Sequence, residues 1–238
     1  MWKEIGDAFS QLGARGDGCR AIILVGSGKA FCGGIDIFDS AFQMSPHDDV
    51  ARRGLAFLPK IQQMQNCLTA VETCPFPVIC AMHGSCIGAG IDLACCADVR
   101  LCSSDTTFSV REVRLGLAAD VGTLQRFPKL CGHSSRVREL CLTGDDFNAA
   151  EALRIGFVSR NSPDIFQDAI RVACTIAANS PVAVAGTKLS LNYSRDHSVQ
   201  EGLEHIARHN ALALMSNDLS FVASGEVTFQ ELAPHARL

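Results

Sequence analysis

The stretch that decides the fold of this chain reads His83-Gly-Ser-Cys-Ile-Gly88-Ala89-Gly90-Ile-Asp92-Leu-Ala-Cys-Cys-Ala-Asp98. A turn of small residues, Gly88 to Gly90, immediately precedes Asp92, which lies in an apolar run. Such a turn at the start of a helix aims free backbone N–H groups at a developing negative charge. Apolar surroundings raise the pKa of a carboxyl and suit it to proton transfer near neutral pH. The stretch therefore predicts half of a site for proton transfer next to a carbonyl group.

Two more carboxylates, Glu112 and Asp120, follow within 30 residues of Asp92. Asp92 has no obvious access to solvent in its apolar run. Glu112 has a second interpretation, because Arg111 and Arg114 flank it as in a surface ion pair. Asp120 has one too, because it precedes a helical pattern and could cap that helix. The residues alone leave joint catalysis by the three acids and these separate structural roles open.

A second glycine-rich turn provides the candidate for the other half of the site. The apolar run Ala21–Val25 predicts a buried strand, and the turn that follows extends from Gly26 to Asp36. Two turns that follow two buried strands would place two N–H groups where ligands of α/β sheets bind. Together they could form an oxyanion hole. Each alone could be a plain tight turn, with Asp36 as a cap, and neither has the residues of a Walker or dinucleotide motif.

The order of apolar periodicities predicts an α/β core followed by a helical region. Predicted strands are Ala21–Val25, Val78–Met82, Val99–Cys102, Thr107–Val110 and, as a possible last strand, Phe157–Ser159. Predicted helices are Trp2–Leu12, Val50–Cys74, Gly88–Cys96, Thr123–Leu130, Ser134–Leu142, Ala149–Leu153, Pro163–Asn179, Pro181–Tyr193, Ser198–Leu214 and Asn217–Ser224. Residues 40–49 are polar and predict a loop. Asp98 beside Arg100 predicts a structural ion pair.

The composition narrows the class of protein. The chain has 238 residues, 47% of them hydrophobic, which suits a large core and an interface. A net charge of −4 argues against a nucleic-acid partner. The 12 cysteines contain no Cys-x-x-Cys pair or zinc spacing, so we expect small buried side chains in a reducing compartment and no metal. No signal peptide and no membrane span are expected from the sequence.

Several motifs resemble the crotonase (enoyl-CoA hydratase/isomerase) superfamily. The superfamily motifs are Ala30-Phe-Cys-Gly-Gly-Ile-Asp-Ile37 and His83-Gly-x-x-Ile-Gly-Ala-Gly-x-Asp-Leu93. Three further segments resemble the Δ3,5-Δ2,4-dienoyl-CoA isomerase branch: Glu112-Val-x-Leu-Gly-Leu-Ala-Ala-Asp-Val-Gly-Thr-Leu-Gln-Arg126, Ser180-Pro-Val-Ala-Val184 with Thr187-Lys188, and Tyr193-Ser-Arg-Asp-His-Ser-Val199. The set of Asp92, Glu112 and Asp120 selects this branch, because hydratases usually carry a small residue at position 120.

The resemblance implies a role for each matching residue. The N–H groups of Gly33 and Ala89 match the oxyanion hole, and Glu112 with Asp120 matches the acid/base pair that moves a proton between C2 and C6 of the acyl chain. Asp92 matches the family's third acid. The substrate-binding set combines Ala89 with the coenzyme A contacts of the first turn, which are Gly33, Gly34, Ile35, Asp36 and Ile37. Because only protons move, no metal or redox cofactor is implied, and the partner is an acyl-CoA substrate.

The resemblance also implies an architecture. It predicts a crotonase-type α/β spiral of short strands and helices at 1–180, and a helical trimerisation region at 181–238 for a homotrimer or hexamer. The family's N-terminal strands are expected to be missing. Ala89 replaces a usual glycine, so its methyl group could crowd the acyl chain. The last residues, Ala236-Arg237-Leu238, vary the Ser-Lys-Leu peroxisomal address. A mitochondrial location is the alternative if an upstream N-terminus is missing.

The predicted function is isomerisation of 3,5-dienoyl-CoA to 2,4-dienoyl-CoA in the β-oxidation of unsaturated fatty acids. One alternative is a sister enzyme, an enoyl-CoA hydratase or a Δ3-Δ2-enoyl-CoA isomerase, against which Asp120 argues. The other is an inactive acyl-CoA-binding homologue, supported only by Ala89 and the start of the chain. The sequence does not decide which of Glu112 and Asp120 acts at C2.

Overall fold

A computed structural model describes residues 1–15, 18–36, 49–224 and 229. Its helices are α1 Trp2–Arg15, α2 Val50–Thr73, α3 Ala89–Cys95, α4 Thr123–Leu130, α5 Ser134–Thr143, α6 Ala149–Arg154, α7 Ile165–Ala177, α8 Pro181–Ser194, α9 Val199–Ala213 and α10 Asn217–Ser224. Its strands are β1 Ile22–Val25, β2 Val78–Met82, β3 Ser85–Ile87, β4 Val99–Ser103, β5 Thr107–Ser109, β6 Phe147–Asn148 and β7 Arg160–Ser162. A short 3₁₀ helix spans Arg111–Leu115.

Two small sheets form the centre of the molecule. The first is fully parallel, in the order β1-β2-β4-β7, and its strand β2 is buried along its whole length. The second has the order β3-β5-β6, in which β3 and β5 are parallel and β6 is antiparallel. The continuous apolar run of β2 is what a central parallel strand requires, because its side chains are buried on both faces. The predicted α/β fold is confirmed.

The aromatic core lies beneath the second sheet. Phe108 of β5 stacks on Phe147 of β6 at a centroid distance of 5.1 Å, and Phe127 of α4 meets Phe157 edge to face at 4.9 Å. All four rings are buried, and such aromatic contacts stabilise beyond the area they bury. This cluster joins α4 to the strand that leads into the 3₁₀ helix. It therefore fixes the two segments that carry Glu112 and Asp120.

The predicted last strand is wrong in position. We expected it at Phe157–Ser159, whereas β7 begins at Arg160. Phe157 and Val158 are buried, and their N–H groups donate to the carbonyl oxygen of Ala152 within α6. Because these groups are already bonded, pairing with β4 starts only at Ser159, whose N–H donates to the Arg100 carbonyl at 2.9 Å. The short strands β3 and β6 were not predicted, since two or three residues give no periodicity.

The predicted ion pair of Asp98 with Arg100 is also wrong. Asp98 pairs with the buried Lys188 of α8 at 2.8 Å and accepts the N–H of Val78 at 2.7 Å. Arg100 instead donates to the carbonyl oxygens of Ala97 and Phe157. The Arg100 guanidinium is bonded to these backbone oxygens and Asp98 to Lys188, so the nearest charge in sequence is not the partner. The Asp98–Lys188 pair ties the C-terminal helices to the parallel sheet.

The remaining expectations fall partly outside the described residues. The loop was predicted at 40–49, and all of it except Asp49 lies outside the described residues. Asp49 caps α2 by accepting the Ala51 N–H. The described residues contain no disulfide, and several cysteines are fully buried. Among the described helices none is by itself long and apolar enough to cross a membrane, although α7 and α8 pass that test together as a sharply bent pair.

Candidate active site

The two glycine turns meet in one place. The first turn runs beside β3, where the Cys32 N–H donates to the Ser85 carbonyl and the Ile87 N–H donates to the Cys32 carbonyl, both at 2.9 Å. A parallel bridge pairs Cys32 with Cys86. Because β3 leads directly into α3, this pairing brings the first turn against Gly88 and Gly90, the residues on either side of Ala89. The two turns therefore pack against each other, and the oxyanion hole itself stays a prediction.

Small residues make this contact possible. A Cβ atom on Gly90 would lie 2.9 Å from the Cβ of Cys32, a separation that real side chains do not reach. Gly34 has a φ of +97°, and its Cα lies 3.8 Å from the position that a Cβ on Gly88 would occupy. Among the described residues, neither Gly33 nor Ala89 donates its N–H group to an acceptor. Both N–H groups are therefore available to a ligand at the same edge.

Glu112 lies against the second turn. It sits in the 3₁₀ helix with only 5% of its surface exposed, and its Oε1 is 3.2 Å from where a Gly88 Cβ would be. Its Oε2 is buried and lacks a hydrogen-bond partner among the described residues. The surface ion pair considered for Glu112 is wrong, since Arg111 pairs with Asp146 and Arg114 with Asp145.

Asp92 is completely buried in the first turn of α3. Its Oδ1 accepts the Thr123 N–H at 2.6 Å, while Oδ2 has no partner among the described residues. Thr123 is the first residue of α4, where free N–H groups and the helix dipole favour a negative charge. Asp92 thus joins the starts of α3 and α4 and keeps one oxygen unbonded inside the protein.

Asp120 lies three residues before the start of α4 and is half-buried. Its carbonyl oxygen accepts a hydrogen bond from Nε2 of Gln65 on α2, at 2.6 Å. The helix cap considered for Asp120 is wrong, because α4 has Gly122 at its N-cap and no side-chain cap. The Asp120 carboxyl is consequently free of a capping role in the helix that follows it.

The three carboxyls influence one another electrostatically. Burial, helped by the negative charges of Asp92 and Asp120, raises the pKa of Glu112 to about 7. Burial also raises the pKa of Asp92, against the lowering effect of the Thr123 hydrogen bond, and it raises the pKa of Asp120. A carboxyl that titrates near neutrality exchanges a proton with little cost in either direction, which is the property of a general acid or base.

The structure also places residues that the sequence analysis missed. Thr123 donates its N–H to the Asp92 carboxyl, and Gln65 donates to the Asp120 carbonyl oxygen. The sequence pattern predicts both residues only as parts of helices. Glycine at position 122, with a φ of +137°, is the one local signal that could have marked this turn. Of the expected substrate contacts, Gly34 and Ile35 are half-buried, Gly33 and Asp36 are exposed, and Ile37 lies outside the described residues.

The fold and the cluster define a crotonase-type protein, in which two turns of small residues face buried carboxyls. The chain belongs to the enoyl-CoA hydratase/isomerase family, whose profile matches residues 1–231. The mitochondrial Δ(3,5)-Δ(2,4)-dienoyl-CoA isomerase of Rattus norvegicus is 45% identical over 92% of this chain and 68% of its own length. The peroxisomal enzyme of that name from Arabidopsis thaliana is 40% identical over 94% of this chain and 82% of its own.

Solved structures agree with this assignment. The enoyl-CoA hydratase of Bacillus anthracis superposes with a TM-score of 0.83 over 98% of this chain and 87% of its own, at 26% identity. The predicted crotonase fold is confirmed by this match. The sequence identity to the dienoyl-CoA isomerases is much higher than to this hydratase, in accord with the branch that the carboxyl set selected.

The raised pKa of Glu112 predicts a pH dependence of stability. The folded protein binds the Glu112 proton up to about pH 7, whereas the unfolded chain releases it near 4.5. This contribution to stability is therefore present below pH 4.5 and is lost as the pH rises through 7. We expect Glu112→Gln, which keeps the neutral shape, to be more stable than the parent at pH 8 by up to roughly 3 kcal/mol, and little different at pH 4.

Urea unfolding at the two pH values measures this difference. Glu204→Gln, at an exposed position on α9, is the matched control and should show no such dependence on pH. Equal stability of Glu112→Gln and the parent at pH 8 would contradict a carboxyl held protonated by burial.

Proposed function

We propose that this protein isomerises 3,5-dienoyl-CoA to 2,4-dienoyl-CoA, as its curated relatives of that name do. The observation that carries the proposal is the joint burial of Asp92 and Glu112 next to the two small-residue turns, with Asp120 at the edge of the same cluster. Sequence identities of 40–45% to dienoyl-CoA isomerases over more than nine-tenths of the chain support the same reaction.

The oxyanion hole is the first part of the mechanism. The N–H groups of Gly33 and Ala89 donate to the thioester oxygen, which gains negative charge as C2 loses its proton. Two fixed donors in a site shielded from water stabilise this charge more than water does, and one such donor typically contributes about 3 kcal/mol. The Ala89 methyl group lies next to its own N–H, so it narrows the space for the acyl chain rather than removing a donor.

The proton transfer is the second part. One carboxylate of the Glu112 and Asp120 pair takes a proton from C2, and the electron pair of the broken C–H bond is delocalised over the thioester and the diene as a conjugated trienolate. The other carboxyl donates a proton at C6, which leaves double bonds at C2 and C4. This division of labour needs one protonated and one ionised acid at the same pH, a condition that unequal burial of the two side chains favours.

Asp92 differs from Glu112 and Asp120 in that one of its oxygens is bonded to the start of α4. Its Oδ1 is fixed by Thr123, and only Oδ2 is left to act on the other acids or on the acyl chain. We assign the coenzyme A moiety to the first turn, at Gly33, Gly34, Ile35, Asp36 and Ile37. The reaction needs no cofactor or metal, because it moves protons and electron pairs within one substrate.

The sister activities make different demands on the site. Hydration of an enoyl-CoA needs two acids around one water molecule, and an acid at position 120 is not part of that pair. The inactive homologue requires the turns to bind coenzyme A without proton transfer. Loss of the carboxyls separates these alternatives, because it abolishes isomerisation and leaves simple binding unchanged.

Turnover of 3,5-dienoyl-CoA by Glu112→Gln and Asp120→Asn tests the proposal. Each substitution removes an acid/base group, so we expect kcat to fall by about 10²–10⁴-fold. Formation of the 2,4-dienoyl chromophore is followed by ultraviolet absorbance, and Glu204→Gln should keep the parental rate. Crotonyl-CoA hydration by a parent protein that leaves 3,5-dienoyl-CoA unchanged would instead favour the hydratase. Coenzyme A binding without any turnover would favour the inactive homologue.

We also propose that 181–238 is a self-association region that builds a homotrimer or hexamer on the 1–180 core. An apolar groove of about 530 Å³ lies between α8, α9 and α10, where Leu191, Leu214 and Val222 are each more than half exposed. Such exposed apolar groups are typical of an interface.

Sedimentation equilibrium tests the assembly. The parent should have the mass of three or six chains, and the double substitution Leu191→Asp with Leu214→Asp should release single chains because a buried carboxylate in an apolar interface is unfavourable. Leu142→Asp on α5, also exposed, serves as the control. A parent that sediments as a single chain would refute the proposal.

For the location in the cell, the relatives are mitochondrial or peroxisomal by name. We propose the peroxisome, because Ala236-Arg237-Leu238 is a conservative variant of its C-terminal address. These residues lie outside the described part of the structure. A fluorescent protein fused ahead of the chain should enter peroxisomes, and Leu238→Asp should prevent this. Mitochondrial fluorescence, or no effect of Leu238→Asp, would contradict the proposal.

A further inference from the structure

A row of polar side chains on α2 faces the carboxyl cluster. Gln65, Thr69 and Glu72 are four and three residues apart, so they lie on one face of the helix. Gln65 binds the Asp120 carbonyl at 2.6 Å. Thr69 and Glu72 bind Arg126 of α4. One face of α2 therefore contacts both ends of the segment 120–126.

Glu72 and Arg126 form a charge-assisted contact that is mostly buried from solvent. Nε and Nη2 of Arg126 donate to Oε2 of Glu72 at 3.0 and 2.7 Å, and Nη2 also donates to the Thr69 hydroxyl at 3.1 Å. The two side chains are 12% and 11% exposed. The other oxygen of Glu72 accepts from Arg195, which follows α8. Charge-assisted bonds of this kind fix the orientation of a guanidinium group.

The guanidinium of Arg126 packs on the backbone of Gly122. A Cβ atom at this position would overlap Nη1, and the φ of +137° is open to glycine alone in practice. The next residue, Thr123, donates its N–H to Asp92 at 2.6 Å. Arg126 thus supports, from the opposite side, the turn that binds Asp92 and directly follows Asp120.

We infer that Arg126 is a positioning residue for the proton transfer: clamped by Glu72 and Thr69, it fixes the turn that holds Asp92 and carries Asp120. This role rests on the proposed isomerase function. A displacement of about 1 Å in a catalytic group costs up to about 100-fold in rate. Loss of the clamp should therefore lower kcat and leave coenzyme A binding, which uses the first turn, nearly unchanged.

The charge of Arg126 gives the role a second consequence. The charges of Asp120 and Arg126 act on the pKa of Asp92. The charge of Asp92 in turn acts on the pKa values of Glu112, Cys95 and Cys96. Arg126 is the cation among them, and it favours the ionised form of Asp92. Of the three acids, Asp92 is the one whose pKa responds to the Arg126 charge, and removing this cation raises the pKa of Asp92.

The test compares Arg126→Gln with Arg195→Gln. Both remove one cation from Glu72, but only Arg126 touches Gly122. For Arg126→Gln we expect a 10- to 100-fold lower kcat toward 3,5-dienoyl-CoA and a KM within about twofold of the parent. Arg195→Gln should keep kcat, KM and the pH profile of the parent. An unchanged kcat in Arg126→Gln, or an equal loss in both variants, would overturn the assignment.

A second measurement covers an unstable variant or an inactive parent. The double variant Glu72→Gln with Arg126→Gln removes both buried charges together, which avoids leaving one of them unpaired. Hydrogen–deuterium exchange of the peptide containing 120–126 needs no turnover. Faster exchange there in the double variant, with parental exchange in Arg195→Gln, supports the clamp even if the parent fails to isomerise the substrate. Parental exchange in the double variant refutes it, whereas an inactive parent refutes only the proposed function.

Discussion

Burying two carboxyls beside each other with too few hydrogen-bond donors is the constraint on which this structure depends. Asp92 has one donor and Glu112 none on its buried oxygen among the described residues. An unpaired ionised carboxylate is costly inside a protein, and the cost appears as a raised pKa rather than as a broken fold. The site therefore contains a carboxyl that is still protonated near neutral pH. The surrounding helices and strands keep the acids buried in these positions.

The fold holds the buried acids in place by packing together segments that are far apart in the chain. The first turn packs on α3 through Cys32 and Gly90, where any side chain larger than hydrogen would push them apart. The aromatic cluster fixes β5 and α4, and α2 holds the segment between the last acid and α4 from the other side. Each contact joins two parts of the chain that carry a different component of the site. The same few contacts therefore stabilise the fold and position the groups of the site.

Much of this arrangement is readable from the sequence, and the remainder has a physical explanation. The buried strand β2, the two turns and the apolar setting of Asp92 are local patterns, and each predicted its element or its burial correctly. Charge partners are not local. Glu112 stands between two arginines that turn outward, and Asp98 passes over its neighbour Arg100 to pair with Lys188, 90 residues away. Gln65 and Arg126 gain their roles only when α2 lies across the turn before α4.

The central claim is that burial keeps Glu112 protonated up to neutral pH within a folded site. Difference infrared spectroscopy between the parent and Glu112→Gln isolates the C=O band of this one carboxylic acid. The account predicts a protonated band that persists at pH 6 and disappears with a midpoint near pH 7. A band that is already lost with a midpoint near 4.5, the ordinary value for an exposed glutamate, would contradict the account.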